Sequence, residues 1–215
     1  MTIIVLVRHG ENEWVKKHRL AGWLPDVHLN EKGHQQAEAA AERLKVLTIK
    51  ALYSSPVTRC METAEYISQL FDLPIKRLDG LGEVRYGSWE GKKIKNLSRK
   101  PLWQVVQYYP SRMRFPGGGE ALREVQFRMV QTLEKLQEKH QDETIVAVSH
   151  ADAIKLVLAY YLGVHIDLFQ RITVSPASVS ILYLAKNGGV RVLRMNDDGP
   201  LRPFEKASEE QKKEK

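Results

Sequence analysis

The stretch Thr2-Ile3-Ile4-Val5-Leu6-Val7-Arg8-His9-Gly10 decides the fold. A short apolar run dominated by β-branched residues and closed by glycine reads as a buried central strand of a parallel sheet. A cation and an imidazole then stand at the carboxyl end of that strand, where open α/β sheets bind their ligands. The pattern recurs twice. Ala51-Leu52-Tyr53-Ser54 runs into Ser55-Pro56-Val57-Thr58-Arg59, and Thr144-Ile145-Val146-Ala147-Val148 runs into Ser149-His150-Ala151.

Helical patterns separate these strands. An alanine-rich pattern covers Glu31 to Leu47, and Pro56 stands near the start of a second helix over Val57 to Phe71, which Leu73-Pro74 ends. Glu120 to His140 and about Asp152 to Leu162 are helical, with Asp152 expected to cap the latter. Val179 to Leu184 and Val190 to Met195 form a hairpin at the sheet's edge, joined through Lys186-Asn187-Gly188-Gly189. The alternation predicts an α/β fold in one domain over 1–204, without repeats or linkers. Two segments depart from it: an excursion over 91–119, expected to be a lid or specificity region, and a mixed-charge tail over 205–215, expected to be disordered.

The 215 residues are 43% hydrophobic and 27% charged, a balance suited to a soluble globular chain. The first apolar run is too short for a signal peptide or a membrane span, which predicts a cytoplasmic protein with no membrane partner. Cys60 is the single cysteine, so no internal disulfide and no cysteine metal site are expected, and it reads as a packing residue. The net charge of +7 has one source. Lys92, Lys93, Lys95, Arg99, Lys100, Arg112 and Arg114 fall between Gly91 and Gly119 with no acid among them; without these seven, basic and acidic residues balance. This is either a solvated basic surface or a means of attracting phosphorylated ligands. Nucleic acid is not expected, because no zinc-finger, helix-turn-helix or RNP-type pattern accompanies the charge.

Paired arginines and histidines at strand ends suit phosphoryl transfer, whose transition state spreads negative charge over three equatorial oxygens. Arg8 and Arg59 offer planar forks that never lose their protons. His9 is the candidate nucleophile, and His150 a second imidazole that donates to the phosphoryl oxygens. A leaving alkoxide needs a proton from a carboxylic acid of raised pKa. Glu83, in a glycine-punctuated loop, fits that role, although Glu11 and Glu90 lie in related loops.

These residues, with their surroundings, resemble the histidine phosphatase superfamily, in its phosphoglycerate-mutase-like branch. The resemblance runs through Leu6-Val7-Arg8-His9-Gly10-Glu11, Ser54 to Ala64, Leu81-Gly82-Glu83, Gly87-Ser88-Trp89-Glu90-Gly91, Pro116-Gly117-Gly118-Gly119-Glu120 and Val148-Ser149-His150, in order along nearly the whole chain. It implies a three-layer α/β/α sandwich with a mostly parallel central sheet. It also implies a phosphohistidine at His9, a phosphate pocket of Arg8, Arg59 and His150, proton donation from Glu83, and no metal or organic cofactor. The family often closes its first motif with Trp-Asn, the asparagine holding phosphate. Here the pair is Trp14-Val15, so Asn12 or a backbone amide must supply that donor. The usual Gly-Glu-Ser is Gly119-Glu120-Ala121.

The expected activity is that of a phosphomonoesterase acting on a small phosphorylated metabolite bound by Arg8, Asn12, Arg59, His150 and Ala151. A phosphomutase is the nearest alternative. It is disfavoured because Gly119 follows Glu83 by only 36 positions, whereas the family's mutases carry a longer insertion. A non-catalytic module that binds phosphorylated ligands is the other alternative. His18, His28, His34, His140 and His165 lack metal-site spacing and read as surface or packing residues. Gly117 to Gly119 lack the Lys-Ser/Thr ending of a P-loop and read as a flexible helix entry. Glu11 is expected to orient a neighbour, and Trp103, Tyr108, Tyr109 and Met113 to pack within the excursion or line a pocket. The oligomeric state is open.

Overall fold

The computed structural model describes residues 1–201; the expected tail and the last residues of the expected domain lie outside them. One six-stranded sheet forms the centre. Its strands are β1 (Thr2–Arg8), β2 (Ile49–Ser54), β3 (Ile75–Arg77), β4 (Thr144–Ser149), β5 (Val179–Leu184) and β6 (Val190–Asp197), in the order β3-β2-β4-β1-β5-β6. β1 to β4 pair in parallel, and β5 runs antiparallel to both β1 and β6. The expected hairpin is therefore the edge β5–β6. Strand β3 was not anticipated. It has three residues directly after a proline, too few for a period-2 pattern to show.

The helices are α1 (Glu13–Lys16), α2 (Glu31–Leu44), α3 (Thr58–Phe71), α4 (Ile94–Leu97), α5 (Pro101–Tyr108), α6 (Leu122–Lys139) and α7 (Ala151–Tyr161). Successive strand residues point to opposite faces, so the uninterrupted apolar strands feed two separate cores. Ile3, Val5, Val7, Leu52, Val146 and Val148 pack with Ala41 and Leu44 of α2 and Cys60, Ala64 and Ile67 of α3. Ile4, Leu6, Tyr53, Ile145 and Ala147 pack with Leu122, Val125, Met129 and Leu133 of α6 and Ile154 and Leu158 of α7. Helices thus cover both faces, giving the three layers.

The excursion is not a loose flap. Its Leu97, Val106, Met113 and Phe115 are buried in the α6–α7 core, and Trp103 stacks on Trp89 with ring centroids 6.2 Å apart. Tyr108 and Tyr109 instead face solvent. Gly117 and Gly118 turn the chain in the left-handed region (φ +72° and +79°), and α6 starts two residues later than the glutamate expected to open it. Ala121 precedes α6 where a serine would cap it. Only half of a capping box forms, with Glu124 Oε2 accepting from the Ala121 amide at 2.9 Å.

The loop after β1 is seated by glycines. Asn30 caps α2 by accepting from the Gly33 amide at 2.8 Å. A Cβ on Gly33 would lie 1.9 Å from the Glu11 carbonyl oxygen, and one on Gly10 would lie 2.4 Å from the Gly33 carbonyl oxygen. Backbone meets backbone here, with no side chain to yield. Gly33→Ala is expected to cost about 1–3 kcal/mol through overpacking, read as a lowered midpoint in urea unfolding; an unchanged midpoint would show that the two segments separate without cost.

Candidate active site

The carboxyl ends of β1, β2 and β4 lie side by side. Arg8 pairs with Ser149 and Ser54 with Val148, while the amides of His9 and Ser55 bond the carbonyls of Ser149 and Val148 at 3.0 and 2.9 Å. Register alone thus carries His9, Ser55 and His150 to one end of the sheet. α3 and α7 start within a few residues of β2 and β4. Their amino ends, with the partial positive charge of free N–H groups, belong to the same region.

A cavity of about 390 Å³ opens there. Arg8, His9, Asn12, Arg59, Glu83 and Ala151 line it, so six of the seven expected site residues share its wall. The seventh, His150, is fully buried behind it, its ring centroid 5.2 Å from that of His9 in an edge-to-face arrangement. Aliphatic and aromatic side chains of the excursion, including Ile94, Trp103, Val106 and Phe115, close the far side. The excursion's seven cations do not: all are exposed and none lines the cavity.

Arg59 ties the centre together. Its Nε donates to His9 Nε2 at 3.1 Å, and its Nη2 donates to the Gly22 carbonyl at 2.8 Å and to His150 Nδ1 at 3.0 Å. The tautomers follow from these contacts. His9 Nδ1 faces the Gly10 carbonyl at 2.7 Å and so carries the proton, leaving a lone pair on Nε2. His150 accepts on Nδ1, so its Nε2–H donates to Ser55 Oγ at 2.8 Å. His150 thus accepts through Nδ1 and donates through Nε2 within the fold. Burial, followed by the positive charge of Arg59, drives both imidazoles well below the ordinary histidine pKa, so both are neutral.

Three buried donors in this wall lack a partner among the described residues: Arg8 Nε, Asn12 Nδ2 and Arg59 Nη1. Buried donors without acceptors are costly, and three beside one cavity offer N–H groups that an anion would satisfy. Asn12 answers the question raised by Val15. Its Oδ1 caps α1 by accepting from the amides of Trp14 and Val15 at 3.0 and 2.9 Å, which fixes the amide and leaves Nδ2 free.

Glu83 is buried, and burial together with the nearby Asp152 carboxylate raises its pKa to about 7. Asp152 is not the expected helix cap. It lies one residue inside α7, lines the cavity, accepts from Tyr86 Oη at 2.9 Å and pairs with Lys155 Nζ at 3.2 Å. Glu11 bonds Asn30 and Lys32, and Glu90 bonds the amides of Trp23 and Tyr86, so neither is an acid of the cavity. Cys60 is packed near His150, and burial pushes its thiol to about 12. Tyr53, His140 and Glu143 form a hydrogen-bonded chain within the fold, which makes His140 a packing residue as expected.

Sequence reading missed Arg128 on α6. Its guanidinium donates to the carbonyls of Gly80, Gly82 and Glu83 at 3.0, 2.8 and 2.8 Å, and to both oxygens of Glu120 at 2.8 and 3.1 Å. Trp23 Nε1 adds a bond to the Glu83 carbonyl at 2.6 Å, and Ser149 Oγ one to the Leu81 carbonyl at 2.6 Å. A loop that glycines would otherwise leave slack is thereby clamped at its carbonyls. Only the Gly-Glu pair at 119 and 120 hinted at it, and nothing in one sequence joins Glu120 to an arginine eight residues on.

Because Asp152 contributes to holding Glu83 protonated, Asp152→Asn should lower the Glu83 pKa from about 7 toward the ordinary carboxylate range. Difference infrared titration of the carboxyl band would read this; an unmoved band would mean that burial alone sets the value.

The family model for the histidine phosphatase superfamily (branch 1) matches residues 4–198. Phosphoserine phosphatase 1 of Hydrogenobacter thermophilus is 30% identical over 198 residues, covering 91% of this chain and 92% of the relative. Phosphoglycerate mutase-like protein 4 of Arabidopsis thaliana is 35% identical over 198 residues, covering 90% and 80%. Among solved structures, a phosphoserine phosphatase mutant from Entamoeba histolytica in complex with phosphoserine superposes with a TM-score of 0.85 at 25% identity, covering 94% of this chain and all of that one. With the anion-ready cavity and the three-layer fold, these matches establish that the chain belongs to the histidine phosphatase superfamily.

Proposed function

We propose that the chain is a phosphomonoesterase that hydrolyses a small phosphorylated metabolite through a phosphohistidine at His9. The observation that carries this reading is the neutral His9, whose unprotonated Nε2 accepts only from Arg59 Nε among the described residues, in the wall of a cavity that also holds three unpaired buried donors.

A phosphate monoester entering the cavity takes the free N–H groups of Arg8, Asn12 and Arg59. Its negative charge opposes the field that keeps His150 neutral and so favours a protonated, donating His150. Arg59 Nε turns from His9 Nε2 to a phosphoryl oxygen, freeing the nucleophile. Nε2 then attacks phosphorus in line, and the phosphorus–oxygen ester bond breaks with its electron pair on the leaving oxygen. The Glu83 carboxyl gives that oxygen its proton. The resulting carboxylate takes a proton from water as the hydroxide attacks phosphorus, the phosphorus–nitrogen bond breaks, and neutral His9 returns with inorganic phosphate.

Two pKa directions fix the pH dependence. Glu83, raised to about 7, is in its donating form below that value and loses it above. His9, lowered well below the ordinary value, stays nucleophilic on the acid side. On an alkyl phosphate, kcat/KM should fall about tenfold per pH unit above about 7, and Glu83→Gln should remove that limb while sparing p-nitrophenyl phosphate, whose leaving group needs little protonation. A limb that survives Glu83→Gln would assign the acid elsewhere. His9→Ala should abolish phosphate release; persistent turnover would refute the covalent route. Arg128→Gln should lower kcat on alkyl phosphates by roughly 10–100-fold with little change in KM, the cost of a misplaced acid. Loss confined to KM would make Arg128 a binding residue.

Similarity to a mutase-like protein keeps phosphoryl return to a bound acceptor as the second reading. Incubation with 3-phosphoglycerate, with and without a bisphosphoglycerate primer, separates them: phosphate release supports the hydrolase, and isomerisation without release supports the mutase.

A further inference from the structure

Two basic stretches far apart in sequence are bonded side by side at the mouth of the cavity. Lys16-Lys17-His18-Arg19 meets Lys92-Lys93-Ile94-Lys95 through the Ile94 amide on the His18 carbonyl at 2.8 Å, the Leu20 amide on the Lys92 carbonyl at 3.1 Å and an antiparallel bridge between Arg19 and Lys93. His18, Arg19 and Ile94 also line the cavity, so this strip forms its lip. Arg99 and Lys100 extend the strip along the start of α5.

Its composition is one-sided. Across 15–20 and 92–100 the exposed side chains are Lys16, Lys17, His18, Lys92, Lys93, Lys95, Asn96, Ser98, Arg99 and Lys100, with no acid, no Phe, Tyr or Trp and no aliphatic residue among them. Among the described residues, only Lys16 and Lys17 have a carboxylate partner, Glu13. The Arg19 guanidinium is fixed on the Gly91 carbonyl and over the Trp14 ring, 4.4 Å from its centroid, so the strip has a rigid hinge with lysines projecting on either side. These exposed lysines and Arg99 are not cavity-lining, so a ligand contained in the cavity leaves them unused.

We propose that this lip is a docking surface for an acidic segment of a partner polypeptide, which covers the cavity mouth when bound. The charge is complementary to such a segment, and an extended chain spans what a small metabolite does not. Single-stranded nucleic acid is disfavoured because His18 is the one exposed ring of the strip, too few for successive bases to stack on. A membrane surface is disfavoured because it offers no apolar side chain to insert.

Binding to the full chain can be read by fluorescence anisotropy with labelled poly-L-glutamate, a labelled single-stranded RNA and phosphatidylserine vesicles at 0.15 M NaCl. Poly-L-glutamate is expected to bind most tightly, to weaken about tenfold or more in Lys92→Glu/Lys93→Glu/Lys95→Glu, and to be released by 0.5 M NaCl. It should also raise the KM for p-nitrophenyl phosphate in the parent but not in the triple variant. Tighter binding of RNA or vesicles, or equal binding of poly-L-glutamate to parent and variant, would overturn the proposal. Circular dichroism of the variant guards against misfolding, and Lys92→Gln/Lys93→Gln/Lys95→Gln supplies a milder second test. The binding arms do not depend on turnover, so failure of the catalytic reading would appear separately, as a parent inert toward p-nitrophenyl phosphate.

Discussion

One buried guanidinium organises this molecule. Arg59, 2% exposed, bonds both imidazoles of the site, and its charge contributes to keeping both neutral. A cation buried so deeply needs a counter-charge or a full set of acceptors. The fold gives it two ring nitrogens and the Gly22 carbonyl but leaves Nη1 unmatched. The site is thus electrostatically incomplete in a defined sense: its two guanidinium groups meet too few acceptors among the described residues. On the proposed reading a dianionic phosphoryl group supplies what is missing, and its arrival alters the same balance that sets the protonation of His150.

The acid side of the site is built on the opposite logic. Glu83 and Asp152 are carboxyl groups near one another, and among the described residues Asp152 has Tyr86 and Lys155 as partners while Glu83 has only the Val84 amide, at 3.0 Å, on its own carboxyl. Burial, with the neighbouring Asp152 carboxylate, pushes Glu83 toward its neutral form. Carboxyls in unequal surroundings can in this way divide acid and structural roles within one cavity. Arg128 completes the arrangement from outside by holding the loop at its carbonyls rather than touching the carboxyl.

Much of this was legible in the chain. Apolar runs ending in Arg8-His9, Ser54-Ser55 and Ser149-His150 pointed to both the parallel sheet and the edge at which the site forms, because open α/β sheets place their sites beyond the carboxyl ends of the strands. Asn12 could be named as a donor once Val15 stood in its neighbour's usual place. Other features depend on contacts between distant segments. The role of Asp152 follows from Tyr86 reaching it across the fold, Arg128 from carbonyls that carry no side-chain signal, and β3 from pairing along β2 rather than from its own three residues. The basic excursion shows the limit most plainly. Its charge was visible, but its pairing with Lys16 to Arg19, and its place on the lip rather than in the wall, required the folded chain.

The central claim is that His9 Nε2 carries the phosphoryl group between the two half-reactions. Rapid quenching of the parent with a radiolabelled phosphomonoester, followed by peptide mapping under alkaline conditions, measures this most directly. The account predicts a transient label that is stable to base, labile to acid and located on His9. Label on a serine or on Cys60, or product formation with no phosphoenzyme at any quench time, would contradict it.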